Sequence, residues 1–484
     1  MRRHYWFTAA LLTSFILTAC LRGETITDGA NGTGDGNGND NSGVTSVGTV
    51  TQFGSIFVNG IEYGTNSTNF TLDGTDNGLE TGLETGMVVT VGGFVNSDNL
   101  TGTANTINYT PDLRGPVVTP SALEDGGTFN IFGQDVVADE TTVYDSARGF
   151  ASITAGLNVE VSGYRNATDH KLHATKVKSV DQNAGFISTG AISGVTPTAF
   201  TLGALSVNYV NSVRTNFPAG GLNNGLFVRV RASVAPVGGI LTATSVDVLP
   251  SGVGALEGQQ VHVQGFISGS VPNRFSVNGQ TVSTSTATTY QNGAATNLVD
   301  GAKVEIEGIV SSDVLAAAKV RFQQVSDVSL DVPITLVNIT DNTVTVLGTS
   351  GIVIKVDRNT LLDDRRGAVH DFNLSDLSAN NRISVAGKKE NGANSLVAVR
   401  LTRINDSTGP VSLKGPVNSA TNPTLTILGI AADTSDPTVQ FEDANGNAIL
   451  QGDFFNLITA GTKVRVDGVF NGSAISVTHA KIEN

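Results

Sequence analysis

The sequence predicts an all-β protein made of tandem copies of one small barrel, and two kinds of signal support this. A strand motif with alternating apolar residues recurs in the 484-residue chain, and its six copies begin at positions 86, 156, 225, 301, 380 and 461. Recurrence at a nearly fixed period marks a supersecondary unit that is repeated along the chain. The second signal is the Asn-Gly pair at 59–60 and 278–279, which is a strong β-hairpin turn.

The stretch GAKVEIEG at 301–308 typifies the recurring motif. Its alternation predicts a strand in which Val304 and Ile306 point inward, while Glu305 and Glu307 lie on a solvated face. A turn is expected at the glycine that ends the motif. The residues at the outward positions differ widely between copies, which is typical of a solvated surface.

A short helical turn is expected just before this strand. The leading residue of the motif is Gly in five copies and Asn380 in the other. Both residue types end helical turns in the left-handed conformation. An apolar residue lies three positions earlier in every copy and is expected to plug one end of the core; these residues are Leu83, Ile153, Leu222, Leu298, Leu377 and Ile458.

Each unit is predicted to contain five strands. The first contains a Gly followed by an apolar residue, the second turns at Gly, and a short third strand follows, as at 141–144 and 288–290. The helical turn comes next, then the fourth strand, and a fifth strand such as 315–320 closes the unit. This order in about 70 residues favours a small closed barrel of the OB type. An immunoglobulin-like sandwich is the alternative, but it needs about seven strands and about 100 residues.

Two segments are predicted to precede the barrels. Residues 1–19 form a signal peptide, and residues 20–47, rich in Gly, Asn and Asp, form the lipidated end and a flexible linker. Six OB-like barrels follow as the first to the sixth repeat, with predicted bounds of 48–113, 114–185, 186–252, 253–325, 326–406 and 407–484.

The N-terminus predicts export and a lipid anchor. Arg2 and Arg3 precede an apolar run that is too short to span a bilayer comfortably. The run ends in Leu17-Thr18-Ala19-Cys20, which resembles a bacterial lipobox, and Cys20 is the chain's single cysteine. We therefore expect Cys20 to carry lipid. Leu21 favours the outer membrane, by resemblance to enteric sorting rules. An ordinary signal peptide with a chance cysteine is the alternative.

Three stretches of the first repeat resemble a known bacterial family. They are GTVTQFGSIFVNGIEY at 48–63, GMVVTVGGF at 86–94 and ANTINY at 104–109. They look like the repeat known as domain of unknown function 5666, whose members are often exported lipoproteins with several OB-like β units. The third and fifth repeats depart from the pattern, with Ala232 and Asn380 in place of glycines. The resemblance implies a fold and an envelope address, and it implies no activity or functional residue.

Composition and motif content argue against several functions. The formal net charge of −14 opposes nucleic-acid binding, which needs clustered Lys and Arg. The chain has no Gly-x-Ser-x-Gly nucleophile elbow and no second cysteine. The linker segment 35–40 has the alternating oxygen spacing of some calcium loops, at Asp35, Asn37, Asn39 and Asp40. The match fails at Asp40 and Ser46, where an EF-hand needs Gly and Glu, so a solvated tether is the preferred interpretation.

Two groups of residues are candidates for a metal, ligand or partner site. His170 and His173 lie close together, and a polar turn is preferred over a zinc pair. The other histidines beyond the signal peptide are scattered and are His262, His370 and His479. The densest charge cluster lies in 361–377, which we expect to be a loop, and consists of Asp363, Asp364, Arg365, Arg366, His370 and Asp371. A self-neutralising surface loop is preferred over a ligand or partner loop.

The predicted function is that of a non-catalytic, lipid-anchored cell-envelope protein, a scaffold or interaction array of barrels. No catalytic residue, metal ligand or cofactor is predicted. The expected partners are the membrane, through Cys20, and an envelope protein or a glycan. The alternative is a module displayed on the envelope that binds a glycan, a small ligand or a divalent cation.

Overall fold

The computed structural model describes residues 43–123, 126–146, 148–366, 370–390, 394–404 and 409–483. The fold is all-β, as predicted, with short 3-10 helices and one α-helix of two turns in these ranges. Among these residues, the helices lack the length and apolar character of a membrane-spanning segment. Cys20 and the segment 35–40, on which the lipid and calcium predictions rest, lie outside the described residues.

The first three repeats consist of short strands in close succession. The first contains β1 Val44–Gln52, β2 Ile56–Val58, β3 Ile61–Gly64, β4 Asn69–Leu72, β5 Thr75–Gly78, a 3-10 helix Glu80–Gly82, β6 Val88–Val95 and β7 Thr101–Tyr109. The second contains β8 Leu113–Pro116, β9 Val118–Leu123, β10 Gly126–Ile131, β11 Gln134–Tyr144, a 3-10 helix Gly149–Ser152, β12 Asn158–Asn166 and β13 Lys171–Ser179. The third contains β14 Phe186–Ser193, β15 Ala199–Leu202, β16 Leu205–Asn208, β17 Val213–Thr215, β18 Phe227–Ala232, β19 Ile240–Thr242 and β20 Ser245–Val248.

The last three repeats follow the same order of elements. The fourth contains β21 Gln260–Val271, β22 Arg274–Val277, β23 Gln280–Ser283, β24 Thr289–Gln291, a 3-10 helix Ala295–Asn297, β25 Lys303–Ser311 and β26 Val314–Phe322. The fifth contains β27 Val328–Asn338, β28 Thr343–Val346, β29 Ile352–Lys355, β30 Leu361–Asp364, a 3-10 helix Leu374–Asp376, β31 Arg382–Lys389 and β32 Ser395–Ile404. The sixth contains β33 Val411–Thr421, β34 Thr424–Ile427, β35 Ile430–Asp433, β36 Gln440–Glu442, α1 Gln451–Leu457, β37 Lys463–Phe470 and β38 Ala474–Ile482.

The first repeat closes on itself as a barrel. β1 pairs with β2, β2 with β3, β3 with β7, β7 with β6, and β6 returns to β1. All of these pairs are antiparallel except β3–β7, which is parallel. β21, β22, β23, β26 and β25 form the same ring in the fourth repeat. This is the five-stranded OB-like barrel predicted from the sequence. Related β-rich units recur along the chain; the count of six and the bounds of each repeat stay predictions.

The strand predicted as the third has a different place in the barrel. At 288–290 it corresponds to β24, an extra strand that pairs in parallel with β26. At 141–144 it is the last part of β11, whose register with β13 shifts between Ala138 and Val143. The true third strand is the return arm of the hairpin, such as β3 or β23. That arm is only four residues long, which made it inconspicuous in the sequence.

The residue that leads the strand motif does not end the helix. Where a helix is present, it ends four residues earlier, and the leading residue is the third residue of a separate turn. Its φ lies between 70° at Asn380 and 93° at Gly461, so the predicted left-handed conformation is confirmed. The predicted role as a helix cap is wrong. The N–H of this residue instead donates to the first strand, as from Gly301 to the Ile267 carbonyl oxygen at 2.9 Å.

The second glycine of the motif marks a β-bulge inside the strand, and not the turn that was predicted after it. The register of β25 with β26 shifts between Glu307 and Gly308. A Cβ on Gly308 would lie 2.2 Å from the carbonyl oxygen of Ala316, too close for any larger residue. The same approach recurs at Gly93, Gly163 and Gly468. In the third repeat β18 ends at Ala232 in this position, and its register with β20 shows no bulge.

The residues predicted to point inward form the barrel cores. Val304 and Ile306 are fully buried, and their counterparts in the other copies are buried too. The apolar residues expected to plug the cores are buried, apart from Leu298, which is half-buried. Burial of such side chains contributes roughly 1.5–3 kcal/mol each. The first four repeats have separate cores, whereas the buried residues from Val328 to Ile482 form one continuous core.

First strands join the repeats in pairs. Residues Val44–Val47 of β1 lie between β6 and β21, and they pair in parallel with β21 of the fourth repeat. β8 pairs with β14 to join the second and third repeats, and β27 pairs with β33 to join the fifth and sixth. β1 begins within the segment predicted as linker, and Thr45 and Ser46 are fully buried there. The described residues from Gly43 onward belong to one compact unit.

Replacing Gly308 by Ala tests the bulge. The added Cβ would overlap the Ala316 carbonyl oxygen, so the two strands must move apart, and we expect the free energy of unfolding to fall by about 1–3 kcal/mol. Gly220→Ala is the matched control, because nothing lies within 4 Å of a Cβ at that position. Urea unfolding followed by circular dichroism measures both variants. An unchanged midpoint for Gly308→Ala would contradict the bulge geometry.

Candidate functional site between the repeats

A network of ion pairs joins the first three repeats. Arg114 of the second repeat binds Glu160 through Nε at 3.0 Å and Asp73 of the first repeat through Nη2 at 2.6 Å. Asp73 also binds Arg231 of the third repeat at 2.5 Å. The Tyr109 hydroxyl donates to Glu160 at 2.7 Å, and burial together with this carboxylate raises the pKa of Tyr109. The network thus ties three repeats together through charge-assisted hydrogen bonds.

A second ionic contact joins the first and second repeats. Glu84 of the first repeat binds Lys176 at 2.7 Å and also binds Lys178. Burial alone would raise the pKa of Glu84, but the two ammonium groups outweigh burial and lower it to about 2. Next to this contact, the Val88 backbone N–H donates to Ser162 Oγ at 2.9 Å. The Glu84 carboxylate is therefore ionised at neutral pH, where it strengthens the junction.

The charge cluster in 361–377 is only in part the surface loop that was predicted: Arg365, Arg366, His370 and Asp371 lie outside the strands, and Asp371 is exposed. Asp363 and Asp364 lie in β30, which pairs with β32. The Asp364 side chain is only 1% exposed and accepts hydrogen bonds from Arg403 Nε at 3.0 Å and Nη2 at 2.5 Å. Arg365 pairs with Asp363 at 3.2 Å and is buried as well. Consecutive charged residues obscured this strand, because the rest of the protein covers its outward face.

The same segment contacts two other repeats. His370 Nε2 lies 3.0 Å from the Leu83 carbonyl oxygen, and its ring packs on Phe53 of the first repeat with centroids 4.3 Å apart. The Arg365 guanidinium lies 5.6 Å from the ring centre of Tyr144 in the second repeat. The segment that was considered as a partner loop therefore makes contacts within its own chain.

His170 and His173 lie in different surroundings. His173 Nε2 lies 2.8 Å from Asp169 Oδ2, and its ring packs on Phe266 of the fourth repeat at a centroid distance of 4.7 Å. His170 is exposed in the adjoining turn, where its φ is 59°. Only His170 lies in the predicted polar turn, whereas His173 lies in β13 and contacts the fourth repeat.

The remaining histidines are also separated. His262 is buried, and burial lowers its pKa to about 4. His479 Nδ1 lies 3.2 Å from Asp467 Oδ2, and its Nε2 lies 3.4 Å from Glu442 Oε1. Within the described ranges, no three His, Cys, Asp or Glu residues are placed so that they could hold a metal ion.

Several outward positions of the strand motif are buried, although we expected a solvated face. Glu305 and its counterpart Glu160 are each 8% exposed. Glu305 forms an ion pair with Arg321 on the adjacent strand. Burial raises the pKa of Glu305, although the Arg321 charge opposes that shift. The prediction failed because other repeats pack on these faces, which the alternation within one strand cannot reveal.

A cleft of about 90 Å³ lies where the first, fourth and fifth repeats meet. It is lined by Thr49 and Asn59 of the first repeat, Gln264 and Gln324 of the fourth, and Asp357 and Asn359 of the fifth, among others. Carboxamides are the most frequent polar groups in its lining. The site could not be predicted from the sequence, because its residues are dispersed over three repeats and no local motif contains them.

Comparison with known families agrees with the architecture. The family model described as Domain of unknown function (DUF5666) matches residues 115–178, 263–321, 333–402 and 414–483, which are more than half of the chain. The chain belongs to the DUF5666 family. No curated protein matches it. Among solved structures it is similar to drosophila Unr CSD456, with 12% sequence identity, 44% of this chain and 97% of that chain covered, and a TM-score of 0.12.

The matched DUF5666 regions lie in the second, fourth, fifth and sixth repeats. Each region contains both the left-handed turn residue and the bulge glycine of the strand motif. The fifth repeat is matched although Asn380 replaces the leading glycine. Asparagine is among the few residues that adopt a positive φ readily, which explains why it is accepted there.

Arg114→Met tests the ion network of the first three repeats. The substitution retains much of the side-chain bulk but leaves Glu160 buried without its counter-charge, so the free energy of unfolding should fall by about 3–5 kcal/mol. Lys355→Met is the matched control, because Lys355 is half exposed in its pair with Glu390 and its loss should cost less than about 1 kcal/mol. Urea unfolding compares them. Equal losses would show that Arg114 has no special role.

Glu84→Gln tests the junction through its pH dependence. The folded-state pKa of Glu84 is about 2, below its ordinary value of 4.5, so its ionisation stabilises the protein above pH 4.5. That stabilisation is lost progressively as the pH falls from 4.5 towards 2. The Gln variant cannot titrate, and it should lose less stability than the parent between pH 4.5 and pH 3. Urea midpoints across this range measure the difference, and parallel pH profiles would refute the assignment.

Proposed function

We propose that this DUF5666 protein is a non-catalytic, lipid-anchored envelope protein whose barrels form one body that scaffolds or binds partners. The observation that carries the proposal is that charged side chains are engaged in ion pairs and contacts within the protein. Arg114, Glu160 and Asp364 are engaged in buried ion pairs, and His370 contacts another repeat. These groups hold the repeats in a fixed arrangement, which suits a scaffold or a binding surface.

The anchor is supported by the N-terminal sequence. A basic start, a short apolar run and Leu17-Thr18-Ala19-Cys20 together fit an exported lipoprotein, and Leu21 favours the outer membrane. The polar residues between Cys20 and the first strand would separate the barrels from the lipid surface. The net charge of −14 favours an envelope protein or a glycan over nucleic acid as the partner.

Cys20→Ser tests the anchor. In cells supplied with a labelled fatty acid, the wild-type protein should become labelled and fractionate with the outer membrane. The Cys20→Ser variant should be unlabelled and recovered without the membrane, because serine offers no thiol for the lipid. Ser14→Ala, which leaves the lipobox-like residues intact, is the control and should behave as wild type. Unlabelled wild-type protein in the soluble fraction would contradict the proposed lipid anchor.

Crosslinking of intact cells tests the scaffold or binding role separately. The wild-type protein should be captured with an envelope protein or a glycan. Protease added before lysis then locates the partner, because loss of the barrels places it outside the cell and protection places it in the periplasm. Recovery of the chain without any crosslinked partner, at a normal expression level, would count against an interaction array.

A further inference from the structure

The cleft between the first, fourth and fifth repeats contains a positioned hydrogen-bond donor that the fold leaves unused. Gln264 Oε1 accepts hydrogen bonds from the Tyr164 hydroxyl at 2.8 Å and from the Thr49 backbone N–H at 3.2 Å. These two bonds fix the orientation of the carboxamide. Its Nε2 makes no hydrogen bond within the described part of the chain. Gln264 therefore presents an oriented N–H group at the cleft without further reorganisation.

Other carboxamides at the cleft are uncommitted too, among them those of Gln324 and Asn359. The side chains of Gln324 and Asn359 are half-buried, and neither makes a hydrogen bond to any residue that the structure describes. Asn59 differs, because its Nδ2 donates to Ser46 Oγ at 3.0 Å and to the Val47 carbonyl oxygen at 3.2 Å. Each free carboxamide supplies both donors and an acceptor. The cleft thus offers both hydrogen-bond donors and acceptors, and these come from two different repeats.

The charges around the cleft disfavour an anion. Glu305 and Arg321 form an ion pair with each other. Asp357, which also lines the cleft, is exposed and accepts a hydrogen bond from the Asn359 backbone N–H at 2.8 Å. The chain as a whole carries a net charge of −14. An anionic ligand would therefore be repelled, whereas a neutral one would not.

We infer that the cleft binds a neutral polyhydroxyl ligand, such as one terminal sugar residue of a glycan. A sugar hydroxyl donates and accepts at once, which matches the uncommitted amides of Gln264, Gln324 and Asn359. A volume of about 90 Å³ holds a few water molecules or the edge of one sugar ring, and not a long chain. The site is composite, so it exists only when three repeats are assembled. The inference goes beyond the proposed envelope role and does not depend on the anchor.

Saturation-transfer NMR on the purified full chain tests the inference. The probes are glucose and N-acetylglucosamine, which are neutral, and N-acetylneuraminate, which is anionic. We expect transfer to both neutral sugars with millimolar dissociation constants, and none to the anion. Gln324→Ala and Asn359→Ala should each weaken binding roughly three- to tenfold, because each removes one or two hydrogen bonds. Gln182→Ala, an exposed carboxamide of the second repeat, is the matched control and should bind as wild type.

The stability of the variants makes these outcomes interpretable. The side chains of Gln324 and Asn359 make no hydrogen bond within the described fold, so both Ala variants should keep the wild-type urea midpoint. Three results would overturn the inference: no transfer to either neutral sugar, equally strong binding of N-acetylneuraminate, or wild-type affinity in both cleft variants. Because the NMR readout is independent of Cys20, its failure is distinguishable from failure of the lipid anchor.

Discussion

The arrangement of the barrels depends on how the backbone N–H and C=O groups along one edge of the first strand find hydrogen-bond partners. In the closed barrels, the first strand pairs with the fourth strand along its first half and with the second strand beyond it, as β1 does. One edge of that first half is left with unpaired N–H and C=O groups, which are costly to leave bare and prone to aggregation. The first strand of another repeat covers this edge in three places. Barrels that are closed individually are thereby bound in pairs.

Strand pairing fixes which barrels meet, and buried charge then ties the pairs to one another. The link from Arg114 to Asp73 connects the first and second repeats, which belong to different strand-paired couples. His370 connects the fifth repeat to the first in the same way. Buried ion pairs contribute modest net stability, but leaving one partner uncompensated is expensive. Such contacts favour one arrangement of the barrels over others, so an acidic chain with few charged residues can still specify its assembly.

The barrels were predictable from the sequence, whereas the junctions were not. Period-two alternation located Val304 and Ile306 in a core, and the requirement for a positive φ located the turn before them. Glu305 and Glu160 looked solvated because alternation reports only which face of a strand is apolar, and it is silent on what packs against the other face. β1 was missed in part because Thr45 and Ser46 are polar, and their burial results from pairing with β21, more than 200 residues away. The cleft could not be predicted for the same reason, because residues far apart in the sequence form it.

The pairing of first strands has a nested order along the chain. The second and third repeats are adjacent in sequence, and their first strands pair with each other. The first strand of the first repeat instead pairs with β21 of the fourth repeat, which is synthesised later. During synthesis the edge of β1 is therefore bare until residues near Gln260 have emerged, and closure then spans the whole intervening couple. A chain truncated after the third repeat would contain one finished couple and one repeat with an adhesive edge. Among the first four repeats, the sequence order thus sets the order in which the couples can form, from the inner couple outward.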